Sequence, residues 1–167
     1  FIPELRAERV IWSGPDALHE LMARNFSFSE MIGEDGPFDA DFYGSPISVC
    51  GALKAQYSSV SGLPYLRSDT RKLPGDKLKI GLAWAGNADY AHDEERSIDL
   101  EKLSPLIELT GTQFYSFQVG RGETDITRLG LDGIIANLCA TLRDWTDTAR
   151  DVMAMDELIT VDYGVSH

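Results

Sequence analysis

Three short stretches of this sequence carry the residue types that grip an anion. The first runs from Gly86-Asn87 through Asp89, His92 and Asp93 to Arg96-Ser97. The second is Gln118 with Gly120-Arg121-Gly122, and the third is Asp162 with Tyr163, Gly164, Val165, Ser166 and His167. A guanidinium fork pairs with phosphate oxygens, and glycine-rich turns let backbone N–H groups approach them closely. A strand that ends in Asp and passes into Gly and Ser should open a helix, whose free N–H groups suit a diphosphate. Asp162 cannot itself hold a phosphate, since both are anions; it orients the loop or caps the helix.

Each stretch also has a plain structural reading. Gly86-Asn87 is a strong turn signal. Gly120-Arg121-Gly122 lacks the full spacing of a dinucleotide fingerprint and in isolation reads as an ordinary turn. Arg96 reads also as a solvated residue at a helix start. Asp89, His92 and Asp93 are spaced as loop ligands could be, but nothing fixes a coordination geometry, and Asp93-Glu94-Glu95 doubles as a solvated acidic run. No metal is expected. No nucleophile motif, P-loop or Cys/His zinc pattern is present. Cys50 and Cys139 lack metal or redox spacing and read as small buried hydrophobes. His19 falls on a helix, at its surface or boundary.

The elements that must position these stretches are legible from patterning. Lys77 to Asn87 (KLKIGLAWAGN) is a near-continuous apolar run, as suits a strand buried on both faces of a parallel sheet. After it come a polar loop over 88–96, a helix over Leu100–Leu109 bent or shortened by Pro105, and a strand over Gln113–Val119. A short helix near Thr124–Leu129, a strand over Gly133–Leu138, a helix over Asp147–Met155 and a strand over Glu157–Val161 complete a β-α-β-α-β-α-β series. Such a series implies a parallel sheet, with the loops after its strands along one edge. The first part is β-α-β-like but short. A strand at Glu8–Trp12 leads to a helix capped by Ser13 or Asp16. Phe26–Ile32 is an apolar segment, Asp39–Tyr43 a third strand, and Ile47–Tyr57 a helix. Residues 58–76 read as a connection, with a domain boundary near Pro74-Gly75. The expected domains are therefore 1–75 and 76–167.

Composition bounds the function. The chain has 167 residues and a formal charge of −12, which argues against general binding to nucleic acid or anionic membranes. The charge is uneven, about −3 over residues 1–75 and −9 over 76–167. A phosphate site in the second part must therefore rely on local N–H groups and a few cations. No apolar run reaches the ~20 residues of a membrane span, and no secretory leader is visible. Two isolated thiols suit a reducing cytoplasm, the expected location.

Taken together, KLKIGLAWAGN, RSIDLEKLSPLIEL, GTQFYSFQVG and LRDWTDTARDVMAMDELITVDYGVSH resemble the C-terminal region of bacterial tetratricopeptide-repeat glycosyltransferases. These are relatives of the O-linked N-acetylglucosamine transferase and, more distantly, of the lipopolysaccharide heptosyltransferases. The resemblance is strong over Leu78–His167 and weak over residues 1–76, which look like the end of a preceding domain. It implies a GT-B fold, two Rossmann-like domains facing across a cleft. It also implies sugar transfer from a nucleotide-diphosphate donor to a protein or glycan acceptor, with no further cofactor. The donor side maps onto Trp84, Gly86, Asn87, Arg96, Ser97, Gln118, Asp162, Gly164, Val165, Ser166 and His167. Val119 stands where the family often has Lys, with Arg121 a substitute in a different register. The resemblance assigns no catalytic base. It implies a piece of a longer enzyme, cut at both ends and inactive alone, which self-associates through an unpaired sheet edge. The alternative is a noncatalytic nucleotide-binding or assembly module of the same fold.

Overall fold

The computed structural model describes residues 5–59, 61–162 and 164–166. The chain divides into two compact units, Phe1–Arg67 and Ser68–His167. The first unit holds strand β1 (Ile11–Ser13), helix α1 (Asp16–Asn25), strand β2 (Glu30–Ile32) and helix α2 (Pro46–Ala52). The strands β1 and β2 pair in parallel, Trp12 opposite Met31. Leu21 of α1 is buried, and the Trp12 ring meets His19 edge-on at 4.9 Å. His19 therefore lies at the boundary of a small core, its Nε2 3.2 Å from the Ile32 carbonyl.

Helix α1 is capped differently from expectation. Pro15 occupies the N-cap without a side-chain bond, while the Ser13 hydroxyl donates to the Gly33 carbonyl. At the other end, Asn25 donates to the Leu21 carbonyl and brackets Arg67, accepting its N–H and donating to its carbonyl. Helix α2 is capped by Ser45, which accepts from Ser48 N–H, with Pro46 in the first turn. It ends at Ala52, short of the expected Tyr57, and a separate 3-10 turn covers Tyr57–Ser59. The strand expected at Asp39–Tyr43 does not form. Asp39 and Asp41 are poor strand formers, and Phe42 and Tyr43 lie almost fully in solvent, 92% and 88% exposed.

The second unit is a mixed α/β structure around a four-stranded parallel sheet. Its strands are β3 (Leu78–Ala83), β4 (Thr112–Ser116), β5 (Ile135–Asn137) and β6 (Glu157–Thr160), in the order β5-β4-β3-β6. Strand β3 pairs with β4 through Ile80 opposite Phe114, and with β6 through Leu82 opposite Ile159. The short helices α3 (Asp93–Arg96), α4 (Ser104–Ile107) and α5 (Asp125–Arg128) precede the longer α6 (Trp145–Val152). Leu100–Leu103 is a 3-10 turn running into α4, with Pro105 in the first turn of that helix, where its missing N–H costs nothing.

Alternation along the strands splits the core in two. Ile80, Leu82, Trp84 and Phe114 pack with Leu100, Ile107, Ile126 and Ile135. Ala83, Tyr115, Phe117 and Leu138 pack with Leu73, Leu142, Val152 and Val165. The sheet is thus covered on both faces, which explains why β3 reads as continuously apolar.

Helix α6 starts at Trp145 because Asp144 caps it, accepting from the N–H groups of Thr146 and Asp147. Beneath it lies an ion-pair network. Asp151 is fully buried and meets Arg71 at 2.9 Å and Arg150 at 3.2 Å. Asp147 meets Arg143 at 2.7 Å and Arg150 at 3.0 Å. The Arg143 hydrogen bond, opposed by burial, lowers the Asp147 pKa to about 2. A depressed carboxylate pKa stabilises the fold above the unfolded value near 3.8 and ceases to do so as pH falls through the folded one. Thermal melts should therefore lose stability between about pH 4 and 2. Asp147→Asn should melt lower at pH 7 and show a flatter loss over that window.

Candidate anion site at the carboxyl edge of the sheet

The parallel pairing puts the ends of β3, β4 and β6 on one edge. The chain leaves β3 towards β4 and β5 on one side, then returns to β6 on the other. The gap between the β3 and β6 exits is thus a topological switch point, where open α/β sheets place their ligands. Gly86-Asn87 and Asp162 border it.

Gln118 ties the first two loops together. It is fully buried, and its Oε1 accepts from the N–H groups of Trp84 (2.9 Å) and Ala85 (2.8 Å). Its Nε2 donates to the carbonyls of Ala85, Val119 and Arg121. The side chain is committed to backbone, so Gln118 shapes the rim without offering a free polar atom to a ligand. Gly120 and Gly122 adopt positive φ of 72° and 81°, which glycine accepts without strain, so the turn that presents Arg121 needs both.

Asp93 is the residue that sequence reasoning misjudged. Glu94 and Glu95 are exposed as a solvated run should be, but Asp93 is only 2% exposed. Its Oδ2 accepts from Ser97 Oγ (3.0 Å) and Arg121 Nη1 (2.7 Å), and its Oδ1 from Arg96 Nε (3.3 Å). Burial alone would raise its pKa, but the bonds from Ser97, Arg96 and Arg121 outweigh it and hold the carboxyl below the usual range. Ser97 Oγ in turn accepts from Gly86 N–H at 2.9 Å. Gly86 has no room for a side chain: a Cβ there would collide with Asp93 Oδ1 and sit 2.9 Å from Arg96 Nη2. The only prior signal for Asp93 was its spacing, three residues before Arg96 and four before Ser97 on one helical turn.

Arg96 is held on three sides. Its guanidinium carbon lies 4.6 Å from the centre of the Tyr90 ring, Asp93 takes its Nε, and Asp162 Oδ2 lies 3.5 Å from its Nη1. Arg121, with its side chain 40% exposed, reaches Asp93 from the β4 side. The structure thus brings together Gly86, Arg96, Ser97, Gln118, Arg121 and Asp162. Asn87 is exposed at the rim, its Oδ1 accepting from Asp89 N–H. Gly164–Ser166 forms one 3-10 turn in place of the expected helix start, with Val165 packed into the second core cluster. Trp145 lies over that turn, so that a Cβ on Gly164 would come within 2.7 Å of the indole. Tyr163 and His167 lie outside the described residues.

Among the described residues, no group of three or more His, Cys, Asp or Glu side chains could hold a metal ion. Asp93 faces arginines rather than Asp89, and His92 pairs with Glu95 at 3.3 Å. Cys139 donates to the Gln118 carbonyl, and burial pushes its thiol up to about 11. It is therefore a poor thiolate at neutral pH. Among the described residues, no helix is long and apolar enough to cross a membrane.

The geometry defines a parallel α/β unit consistent with a Rossmann-like fold, with two arginines and two aspartates clustered at its switch point. No protein-family model, curated protein or solved structure matches this chain.

Replacing Gln118 by Met keeps the volume and removes every bond to the β3 exit. The buried N–H groups of Trp84 and Ala85 would lose their partner, at about 1–3 kcal/mol each. Urea unfolding should show Gln118→Met less stable by about 2 kcal/mol or more, and a loss under 0.5 kcal/mol (roughly the scale of a neutral surface change) would contradict the clamp.

Proposed function

We propose that the second unit binds the diphosphate of a nucleotide-sugar and belongs to a glycosyltransferase of GT-B type, in which a second Rossmann-like domain carries the acceptor. One observation carries this reading: Arg96 and Arg121, from the loops after two different strands, meet at the switch point beside the exit of β6. Two guanidiniums on a rim of turns fit a diphosphate better than a single phosphate or a neutral ligand. In the reaction, the acceptor hydroxyl oxygen forms a bond to the sugar anomeric carbon and gives its proton to solvent or to a base on the acceptor side, while the bond from that carbon to the diphosphate oxygen breaks. The departing diphosphate gains negative charge. Arg96, Arg121 and the N–H groups of the Gly164–Ser166 turn would stabilise it, and the same groups would fix the donor's orientation. Gly86, Asn87, Ser97, Gln118 and Val165 shape that rim; His167 joins the proposed set from the resemblance alone. The acceptor is a protein or glycan hydroxyl, and the resemblance implies transfer without a metal.

A second reading is a nucleotide-binding or assembly module without chemistry. Val119, 47% exposed where the family often carries Lys, favours it, since one cation fewer faces the leaving group. In either case the edge strands β5 and β6 offer unpaired backbone for self-association, which light scattering should register as a dimer or larger; a monodisperse monomer would count against it.

Calorimetric titration with uridine and guanosine diphosphates tests the site. Binding of at least one is expected, with loss of about tenfold or more in affinity for Arg96→Ala, since charge-assisted bonds contribute ~1.5–3 kcal/mol each. Undiminished binding by Arg96→Ala, or no binding by the unaltered chain, would refute the donor site.

A further inference from the structure

We propose that Tyr90 stacks the nucleobase of the donor, so that the loop after β3 meets the nucleoside as well as the diphosphate. This rests on the donor-site reading above. Other aromatic side chains of the second unit are spent on its interior. Trp84, Phe114, Tyr115 and Phe117 are buried, and Trp145 is partly so. Among the described Phe, Tyr and Trp residues of that unit, only Tyr90 is exposed, at 52%. It belongs to neither core cluster and stands against the guanidinium assigned to the phosphates.

The loop holds this ring in place. Tyr90 N–H donates to the Asn87 carbonyl at 3.0 Å, and the Tyr90 carbonyl accepts from Asp93 N–H at 3.0 Å. Asn87 Oδ1 accepts from Asp89 N–H inside the same turn. Tyr90 is thus tied to the rim on one side and to the buried Asp93 on the other. Its ring has the Arg96 guanidinium carbon 4.6 Å from its centre, a cation–π contact. The His92 ring meets it at 65°, with centroids 5.9 Å apart. With both contacts made, half of the residue still faces solvent, so ring surface remains for a ligand. One ribose separates a base from its diphosphate. A ring touching a guanidinium that grips phosphate therefore lies within the span of a single nucleotide. Every base has a π-face, so such a stack adds affinity for the nucleoside and leaves choice among bases weak. Bare pyrophosphate gains nothing from it.

The test titrates the unaltered chain, Tyr90→Ala and Tyr90→Phe with inorganic pyrophosphate, uridine diphosphate and guanosine diphosphate. The ratio of nucleotide to pyrophosphate affinity is read, because it cancels any slackening of Arg96 when the ring is lost. Tyr90→Ala should lower that ratio about fivefold or more, the low end for one base on one aromatic side chain. Tyr90→Phe keeps the ring and should hold the ratio within about twofold, since stacking needs the π-face and not the hydroxyl. Ring current should also move the base protons of bound uridine diphosphate upfield with the unaltered chain and Tyr90→Phe, but not with Tyr90→Ala. That shift decides the matter if Tyr90→Ala does not fold or pyrophosphate binds too weakly for a ratio, and its absence overturns the stack. An unchanged ratio in Tyr90→Ala, with the unaltered chain binding nucleotide, overturns the stack and leaves the donor site standing; equal weakening of both ligands would mark Tyr90 as a prop for Arg96 alone. A loss in Tyr90→Phe as large as in Tyr90→Ala would assign the effect to the hydroxyl and also overturn it. Failure of the unaltered chain to bind either nucleotide overturns the donor site itself, and the stack with it.

Discussion

The carboxyl edge of this sheet is organised by one buried charge. Asp93 sits out of water with three donors around it, and those donors come from the loops after two neighbouring strands. A buried carboxylate left without partners is costly, so each of Ser97, Arg96 and Arg121 is constrained to stay near it. The constraint spreads outward. Ser97 fixes Gly86, Gly86 must lack a side chain, and Arg121 can reach only if the glycine turn after β4 holds its positive φ angles. Gln118 completes the arrangement by stitching the exit of β3 to that turn. Two guanidiniums are thereby held at one rim of a chain of strongly negative net charge.

Much of this could be seen in the residue order, and the reason is that it was local. The β3 run, with Ile80, Leu82 and Trp84 on one face and Ala83 on the other, announced a strand covered twice. The alternating aromatic segment from Phe114 to Phe117 announced its neighbour. Those patterns, with helix-length connections between them, were enough to place the three loops on one edge. The glycines marked turns, whereas Pro105, expected to bend or shorten a helix over Leu100–Leu109, sits in the first turn of α4. What escaped was non-local or polar. The inward turn of Asp93 depends on Arg121, 28 residues away, and no pattern within one helix turn declares that partner. The commitment of Gln118 to backbone depends on strands being side by side. Asp144 went unread as a cap because Trp145, an apolar residue, occupies the first helical position beside it.

The first unit shows the opposite balance. Its β1-α1-β2 core was legible from Trp12, Leu21 and Met22, but the Asp39–Tyr43 segment has aromatic residues without a strand to hold them. Strand propensity in two aromatics does not overcome neighbouring aspartates when no ladder partner is at hand. The second unit owes its order to the contrary condition, in which every strand of the sheet has a neighbour and apolar side chains against it.

Amide chemical-shift mapping of the chain titrated with uridine diphosphate tests the account most directly. Resonances of Gly86, Asn87, Gly120, Arg121, Asp162 and Gly164 should move together along one binding curve. Shifts confined to the opposite edge, at Leu78, Gly111 and Asp156, or no shifts at millimolar nucleotide, would contradict it.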